Sequence, residues 1–174
     1  PSIAFNSDIL FVVSAGNSNT NAVSVSPADL SFLPNSITVG STDINDERAD
    51  FSNFGSVVDI VAPGVNIYSP TFFSGSFNLD DYDSAFGNTS ASAPMVTGVA
   101  GLIKAIKPDL TPAQIKTILT KVENTDSVTT EPSKPIGRRL NALAAVCDAD
   151  VLNCNGAPSS VKYLTLIEGN PGVP

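Results

Sequence analysis

The sequence predicts an α/β fold in which a parallel sheet is flanked by helices. Apolar runs at residues 9–13 and 57–62 are each followed by turn residues, which is typical of buried strands in parallel sheets. A helical pattern of apolar residues follows Pro94, and a second helical pattern begins near residue 111. Strands that are followed by helices in this way favour a single α/β domain.

The composition is that of a globular chain. It has 174 residues, of which 42% are hydrophobic and 15% are charged, so it is long enough to bury a core. No stretch approaches the roughly 18 to 20 apolar residues that span a bilayer, so we expect no membrane-spanning segment. The net charge of -8 disfavours nucleic acid and anionic membranes as partners and is compatible with a secreted protein.

Turn residues divide the first half of the chain into strands and loops. The first strand ends in Ser14-Ala15-Gly16-Asn17, and the third ends at Pro63-Gly64. Between them, residues 36–41 form a second predicted strand. Two long loops are predicted at residues 18–35 and 70–87, and residues 65–68 are a candidate for a short fourth strand.

Three helices are predicted in the second half. The first covers residues 91–107 and stops at Pro108-Asp109. The second starts with Thr111 as N-cap, Pro112 at the first helical position and Gln114 at the capping-box position. A polar loop at residues 123–137 leads to a third helix at about residues 139–146. We assign residues 1–148 to one domain and residues 149–174 to a tail that is an extra strand or a linker.

The two cysteines, Cys147 and Cys154, flank a short loop. A local disulfide and two free thiols are both compatible with this spacing. A zinc site is not expected, because the chain has no histidine and no further cysteines at ligand spacing. If the disulfide forms, it indicates an oxidising compartment.

The segment GNTSASAPMVTG, residues 87–98, places a serine at a helix start. Proline is tolerated in a helix only near the first turn, so Pro94 predicts that the helix begins close to Ser90. Free backbone N–H groups and the helix dipole favour negative charge there, as on a developing oxyanion. Small neighbouring residues would let a substrate backbone approach. The alternative is that Thr89 or Ser90 is only an N-cap.

Asn17 follows the first strand, at the same predicted edge of the sheet as Ser90. A side-chain N–H of Asn17 and the backbone N–H of Ser90 could both point at a carbonyl oxygen that becomes an oxyanion. A donor of this kind lowers the barrier to acyl transfer by roughly 3 to 4 kcal/mol. The alternative is that Asn17 is an ordinary turn residue after Gly16.

Six segments together resemble the subtilisin-like serine proteases, or subtilases. TSASAPMVTG (89–98) resembles the nucleophile segment, with Pro94 four and Gly98 eight residues after Ser90. VVSAGN (12–17) resembles the oxyanion strand. The remaining segments match in family order: PNSITVGS (34–41), FSNFGSVVDIVAPGVNIYS (51–69), LTPAQIKTIL (110–119) and GRRLNALAAV (137–146). The resemblance covers about residues 8–147 and implies a doubly wound subtilisin-like sheet that lacks its N-terminal part.

The resemblance implies a role for each matched residue. Ser90 would be the acylated nucleophile and Asn17 the oxyanion donor of a serine endopeptidase that acts on peptides or proteins. Ser14, Ala15 and Gly16 would line the pocket for the substrate side chain before the scissile bond. Asp59 resembles an acidic residue of the family's strand, to which we assign a structural role.

The family's catalytic aspartate and histidine precede the asparagine strand, and this sequence has no histidine. Loss of the base costs on the order of a millionfold in rate, so we expect the chain to be inactive alone. Its partner would be the missing N-terminal part of the domain. Without that part, an uncovered sheet edge and core face predict poor solubility or association.

Two departures from the family pattern lie beside the nucleophile. Asn88 stands where the family usually has Gly, and Asn tolerates positive φ better than most residues. Ser92 replaces a usual Ala. Two other interpretations remain: a sedolisin-like serine-carboxyl peptidase, which uses an Asp as oxyanion partner, and a non-catalytic subtilase-like binding module. Asn17 after Ala-Gly favours the subtilases over the sedolisins.

We expect no cofactor to be required for the chemistry. The acidic stretch NLDDYD, residues 78–83, is a candidate for a structural calcium ion, because clustered carboxylates suit that cation. It could instead be a solvated loop, or bias the cleft toward basic substrates.

Overall fold

The computed structural model describes residues 2–70 and 82–150. The strands are β1 (Phe11–Ser14), β2 (Ser36–Thr42), β3 (Ile60–Pro63), β4 (Ile67–Pro70), β5 (Tyr82–Phe86), β6 (Thr125–Asp126) and β7 (Arg138–Leu140). The α-helices are α1 (Ser2–Phe5), α2 (Thr89–Ile106), α3 (Pro112–Thr120) and α4 (Ala142–Ala149). Short 3-10 helices cover Ala22–Ser24, Ala28–Phe32 and Val122–Asn124.

The main sheet has the strand order β1-β2-β3-β7-β6. The first four strands are parallel, with Val12 opposite Ile37, Val39 opposite Ile60 and Ile60 opposite Arg138. Only β6 runs antiparallel, at the far edge beside β7. Strands β4 and β5 form a separate antiparallel pair. The α/β prediction is therefore confirmed, with one antiparallel strand added at an edge.

Alternate residues of the strands face two different apolar clusters, as the pleat of a strand requires. On one face, strands β2 and β3 and helices α2, α3 and α4 bury Ile37, Val39, Ile60, Ala62, Val96, Ile103, Ile115 and Leu119. On the other face, Val61 packs with Ala15, Ala22, Ala28 and Val58 beneath the first two 3-10 helices. The sheet is thus covered on both faces.

Helix α2 crosses the centre of the sheet because its apolar stripe of Val96, Val99, Ala100 and Ile103 is buried against β1, β2 and β3. Pro94 lies within this helix, just after the first turn. It has no N–H to donate to the carbonyl group of Ser90.

Within the described ranges, no helix is both long enough and apolar enough to cross a membrane.

Several predicted boundaries are wrong, all where elements are short. Strand β5 lies in the predicted loop 70–87, and β6 lies in the predicted loop 123–137. The third helix begins after the N-cap Asn141, whose Oδ1 accepts from the N–H of Ala144 at 3.0 Å. Arg139, at the predicted start of that helix, instead lies in β7 opposite Val61 of β3. Strands of two or three residues show no periodicity that a sequence pattern could reveal.

Cys147, near the end of α4, is disulfide-bonded. The other cysteine of the sequence, Cys154, lies outside the described residues, as does the predicted tail beyond residue 150. The division into a domain and a tail stays a prediction.

Candidate active site

The loop after β1 and the first turn of α2 meet at the carboxyl end of the parallel strands. Ser14 is the last residue of β1, and Ser90 is the second residue of α2. Ala15 extends the strand pairing through its N–H, which donates to the carbonyl oxygen of Val39 at 2.8 Å. Gly16 then donates its N–H to Thr89 Oγ1 at 3.3 Å. Ligand sites of open α/β sheets form at this edge.

Asn17 is bound directly to the start of α2 by two hydrogen bonds. Its Oδ1 accepts from the backbone N–H of Thr89 at 2.9 Å and from Thr89 Oγ1 at 2.7 Å. Because a backbone N–H can only donate, the atom of Asn17 that faces it must be the oxygen. The amide group is therefore held in one orientation, which leaves its Nδ2 hydrogens for another acceptor.

Ser90 is exposed, whereas Thr89, Ala91 and Ser92 around it are buried. The N-cap of α2 is Asn88, which makes no capping bond with its side chain. The alternative in which Thr89 or Ser90 serves as N-cap is therefore wrong. Ser90 lies in the first turn, where the N–H groups have no partner within the helix and the dipole is positive.

The turn before Ser90 rests on the end of β3. The N–H of Asn88 donates to the carbonyl oxygen of Gly64 at 2.9 Å, and Ser92 Oγ donates to that of Pro63 at 3.1 Å. A Cβ atom on Gly64 would lie 2.1 Å from Ser41 Oγ and 2.4 Å from Ser92 Oγ. Only glycine fits this contact, which explains why the strand ends in Pro63-Gly64.

The structure brings most of the predicted site residues together. Ser14, Ala15 and Gly16 lead directly into Asn17, and Ala15 is fully buried while the other two are partly exposed. Gly16 has φ of +99°, a conformation that favours glycine. Thr89, which the sequence pattern did not single out for catalysis, is the residue that connects Gly16 and Asn17 to the helix.

Asp59 lies at the other end of β3 and makes contacts that support the sheet. Its Oδ2 accepts from the N–H of Thr38 at 2.8 Å, and its Oδ1 lies 3.4 Å from Lys116 Nζ. Burial raises the pKa of this carboxyl group, although the hydrogen bond from Thr38 and the charge of Lys116 oppose the shift. These contacts agree with a structural role.

In residues 2–70 and 82–150, no group of three or more His, Cys, Asp or Glu side chains could hold a metal ion. Most of the candidate calcium stretch, residues 78–83, lies outside the described residues. Calcium binding there stays a prediction.

Comparisons with known proteins agree on one family. The sequence model of the subtilase family, peptidase S8, matches residues 2–137. The chain is similar to an alkaline serine exoprotease A from Vibrio alginolyticus, with 37% identity over 155 residues that cover 89% of this chain and 26% of that protease. A cuticle-degrading protease from Metarhizium anisopliae is 39% identical over 110 residues, which cover 63% of this chain and 26% of that protease.

Solved structures show the same likeness. A protease from Pseudoalteromonas arctica aligns with a TM-score of 0.68 and 37% identity, over 84% of this chain and 44% of that one. A cold-adapted subtilisin-like serine proteinase aligns with a TM-score of 0.66 and 35% identity, over 79% of this chain and 46% of that one. The subtilisin-like fold expected from the sequence is confirmed. The chain spans about a quarter of the length of the curated relatives it matches.

Proposed function

Because the chain belongs to the subtilase family, we propose that it carries the nucleophile and the oxyanion site of a serine endopeptidase. The observation that carries this proposal is the pair of hydrogen bonds from Thr89 to Asn17 Oδ1. They fix the amide of Asn17 beside Ser90 with its donor hydrogens unused by Thr89. An amide held in this way is preorganised to bind an oxyanion.

In the proposed reaction, Ser90 Oγ attacks the carbonyl carbon of the scissile peptide bond. The carbonyl oxygen becomes an oxyanion, which Asn17 Nδ2 and the backbone N–H of Ser90 stabilise by hydrogen bonds. The C–N bond then breaks, and the amine product departs with the proton that the base took from Ser90 Oγ, so that the acyl group remains on Ser90 as an ester. Water hydrolyses this ester, which releases the carboxylic acid product and regenerates the Ser90 hydroxyl group. Ser14, Ala15 and Gly16 form one wall for the substrate side chain before the scissile bond. The reaction needs no metal or cofactor.

The proton of Ser90 requires a base that this sequence does not contain. The chain has no histidine, so we propose that a histidine and its orienting aspartate come from a polypeptide segment outside these residues. The substrates are peptides or proteins. We further propose an extracellular location, which the disulfide at Cys147 supports because such bonds persist in oxidising compartments.

The missing base also supports a second candidate, a binding module without catalysis. In that case the groove at Ser90 and Asn17 would bind a peptide and leave it intact. A sedolisin-like mechanism has less support, because those enzymes use an aspartate where this chain has Asn17. A catalytic subtilase and a binding module differ in the reactivity of Ser90.

Labelling with a fluorophosphonate tests the proposal. The reagent would be applied to residues 1–174 alone and to the complete protein that includes the upstream segment. We expect strong labelling only in the complete protein, with none in its Ser90→Ala variant. Asn17→Ala should lower kcat for peptide hydrolysis by about 10² to 10³ fold. Equal labelling of both proteins would contradict the role of the missing base, and a complete protein that is unreactive would favour the binding module.

A further inference from the structure

Asn53 is a buried polar residue in the loop between β2 and β3, with 1% of its surface exposed. Neither its position nor its residue type places it in the proposed reaction. Burying an amide group costs free energy unless all its donors and acceptors are paired, so the partners of Asn53 indicate what it holds in place.

All the side-chain hydrogen bonds of Asn53 go to the segment around Asn17. Its Oδ1 accepts from the N–H of Ser18 at 3.0 Å, from the N–H of Thr20 at 3.0 Å and from Thr20 Oγ1 at 3.2 Å. Its Nδ2 donates to the carbonyl oxygen of Ala15 at 2.9 Å. These contacts lie on both sides of Asn17 along the chain, so one side chain spans the whole turn.

The backbone of the same loop adds further bonds to this turn. The N–H of Asn53 donates to the carbonyl oxygen of Gly16 at 2.9 Å, and the N–H of Asn19 donates to that of Phe51 at 2.9 Å. A Cβ atom on Gly16 would lie 2.4 Å from Asn53 Nδ2, so glycine is needed for the side chain to reach Ala15. The turn that carries Asn17 is therefore shaped by contact with Asn53.

Arg48 fixes the loop that carries Asn53. Its guanidinium group is buried, and its Nη1 donates to the carbonyl oxygens of Ala49 at 3.0 Å and Ser52 at 2.7 Å. Hydrogen bonds from a charged group are stronger than those between neutral groups. These bonds fix the conformation of the loop. The hydrogen bonds of Asn53 in turn fix the position of the turn that carries Asn17.

We infer that Asn53 is a positioning residue for the oxyanion donor Asn17. This inference rests on the function proposed above. Thr89 fixes the rotation of the Asn17 amide, whereas Asn53 fixes the backbone from which that side chain extends. A displacement of about 1 Å in a catalytic group can lower the rate about 10² fold, so a turn rich in Gly, Asn and Ser needs such a support.

The test compares Asn53→Ala with Asn35→Ala in the complete protein. Asn35 is a matched control, because it is also buried and its Nδ2 donates to the carbonyl oxygens of Ile3, Asn6 and Ile9. We expect Asn53→Ala to lower kcat about 10 to 100 fold with KM changed less than about threefold, as for the loss of a contact made in the transition state. Asn35→Ala should keep kcat within about twofold of wild type.

A double-mutant cycle with Asn17→Ala separates positioning from general damage. If Asn53 acts through Asn17, then Asn53→Ala should cause almost no further loss of kcat in the Asn17→Ala background. An equal fractional loss in both backgrounds, or an equal loss for Asn35→Ala, would overturn the inference.

A second measurement does not depend on activity. In Asn53→Ala, NMR should show faster hydrogen exchange at the N–H groups of Ser18 and Thr20 and a lower order parameter for the Asn17 side-chain amide. Unchanged values would overturn the inference even in an active protein. If wild type is inactive and Ser90 is unreactive, the proposed function fails instead, and the NMR result still decides whether Asn53 holds Asn17.

Discussion

Asn88, two residues before the proposed nucleophile Ser90, has a backbone conformation that few residues adopt. Its φ of +76° and ψ of 172° fall in a region that is almost confined to glycine. Such a residue costs about 1 to 3 kcal/mol and persists only where its surroundings hold it. Here its N–H donates to Gly64 and its carbonyl oxygen accepts from Ala91, each at 2.9 Å. The sequence suggested the positive φ, because the family usually has glycine at this position.

We predict that Asn88→Gly raises the free energy of unfolding by about 1 kcal/mol. It removes the backbone strain, and the greater freedom of glycine in the unfolded chain offsets only part of that gain. Urea denaturation measures the change. Asn66→Gly is the control, because Asn66 has φ of +54°, which Asn adopts more easily. A smaller gain for Asn88→Gly than for Asn66→Gly would contradict the assigned strain.

Two carboxyl groups respond to their surroundings in opposite directions. Burial raises the pKa of Asp59, so the folded chain binds this proton more tightly than the unfolded chain does. Hydrogen bonds from Asn124 and then Lys121 lower the pKa of Asp148, so its proton is bound more weakly in the folded chain. Stability falls with rising pH in the first case and rises with pH in the second.

Replacing each carboxyl group by the neutral amide of Asn should reveal these opposite pH dependences of stability. For Asp59→Asn, we compare the free energy of unfolding of the wild type with that of the variant. We predict that the value of the wild type minus that of the variant falls as pH rises from the ordinary carboxyl pKa through the raised value. For Asp148→Asn, the same difference should fall as pH drops from the ordinary value through the lowered one. Urea denaturation over a pH series measures both. Slopes of the same sign would contradict the assigned shifts.

At the scale of elements, helix α3 has a capping box at its start, as the sequence predicts. Thr111 Oγ1 accepts from the N–H of Gln114 at 3.3 Å, and Gln114 Oε1 accepts from the N–H of Thr111 at 2.8 Å. Both bonds satisfy N–H groups that the helix itself leaves unpaired. All the residues involved lie within four positions of sequence, so a local pattern is sufficient to predict them.

We predict that Thr111→Ala lowers the free energy of unfolding by about 1 kcal/mol, the usual value of a lost N-cap. Thr117→Ala is the matched control, since Thr117 is exposed in the same helix and donates only to the carbonyl oxygen of Ala113. It should change stability by less than about 0.5 kcal/mol. Thermal or urea unfolding measures both, and equal losses would show that the cap is not the cause.

Contacts between distant parts of the chain mark the limit of prediction from sequence. The positions of Ser90 and Asn17 at the same edge of the sheet could be predicted, because Ser90 lies at a helix start and Asn17 follows a strand end, and both features have strong local signals. Their connection through Thr89 spans 72 residues, and the support of Ser18 by Asn53 spans 35. Neither has a local signal, because these contacts form only when the sheet brings separate turns together. Strands β6 and β7 have no local signal either, because they are only two and three residues long.

At the scale of the whole molecule, one side of the described chain is uncovered. Strand β1 is at the edge of the sheet and pairs only with β2 in the part that the structure describes. Helix α2, which packs on β1, exposes 56% of Leu102, and the space beside Gly98 and Gly101 is open. An open strand edge beside apolar surface favours association.

We predict that residues 1–174 associate when produced alone and that Leu102→Lys reduces this association. The charge would oppose burial of the α2 surface in a contact between chains. Ile44→Lys is the control, because Ile44 is 79% exposed in the loop after β2. Sedimentation velocity over a range of concentrations measures the effect. A monomeric wild-type chain, or equal effects of both variants, would contradict the role of this surface.

The two hydrogen bonds from Thr89 to Asn17 also determine how the site responds to motion. In the proposed reaction Asn17 supplies the amide donor and Ser90, the residue next to Thr89, supplies the attacking oxygen, so these bonds couple the donor to the start of α2. The hydrogen bonds of Asn53 couple the same turn to the loop between β2 and β3. A shift of α2 relative to that loop would therefore stretch one of the two sets of bonds, so the geometry of bond making depends on the relative position of the helix and the loop.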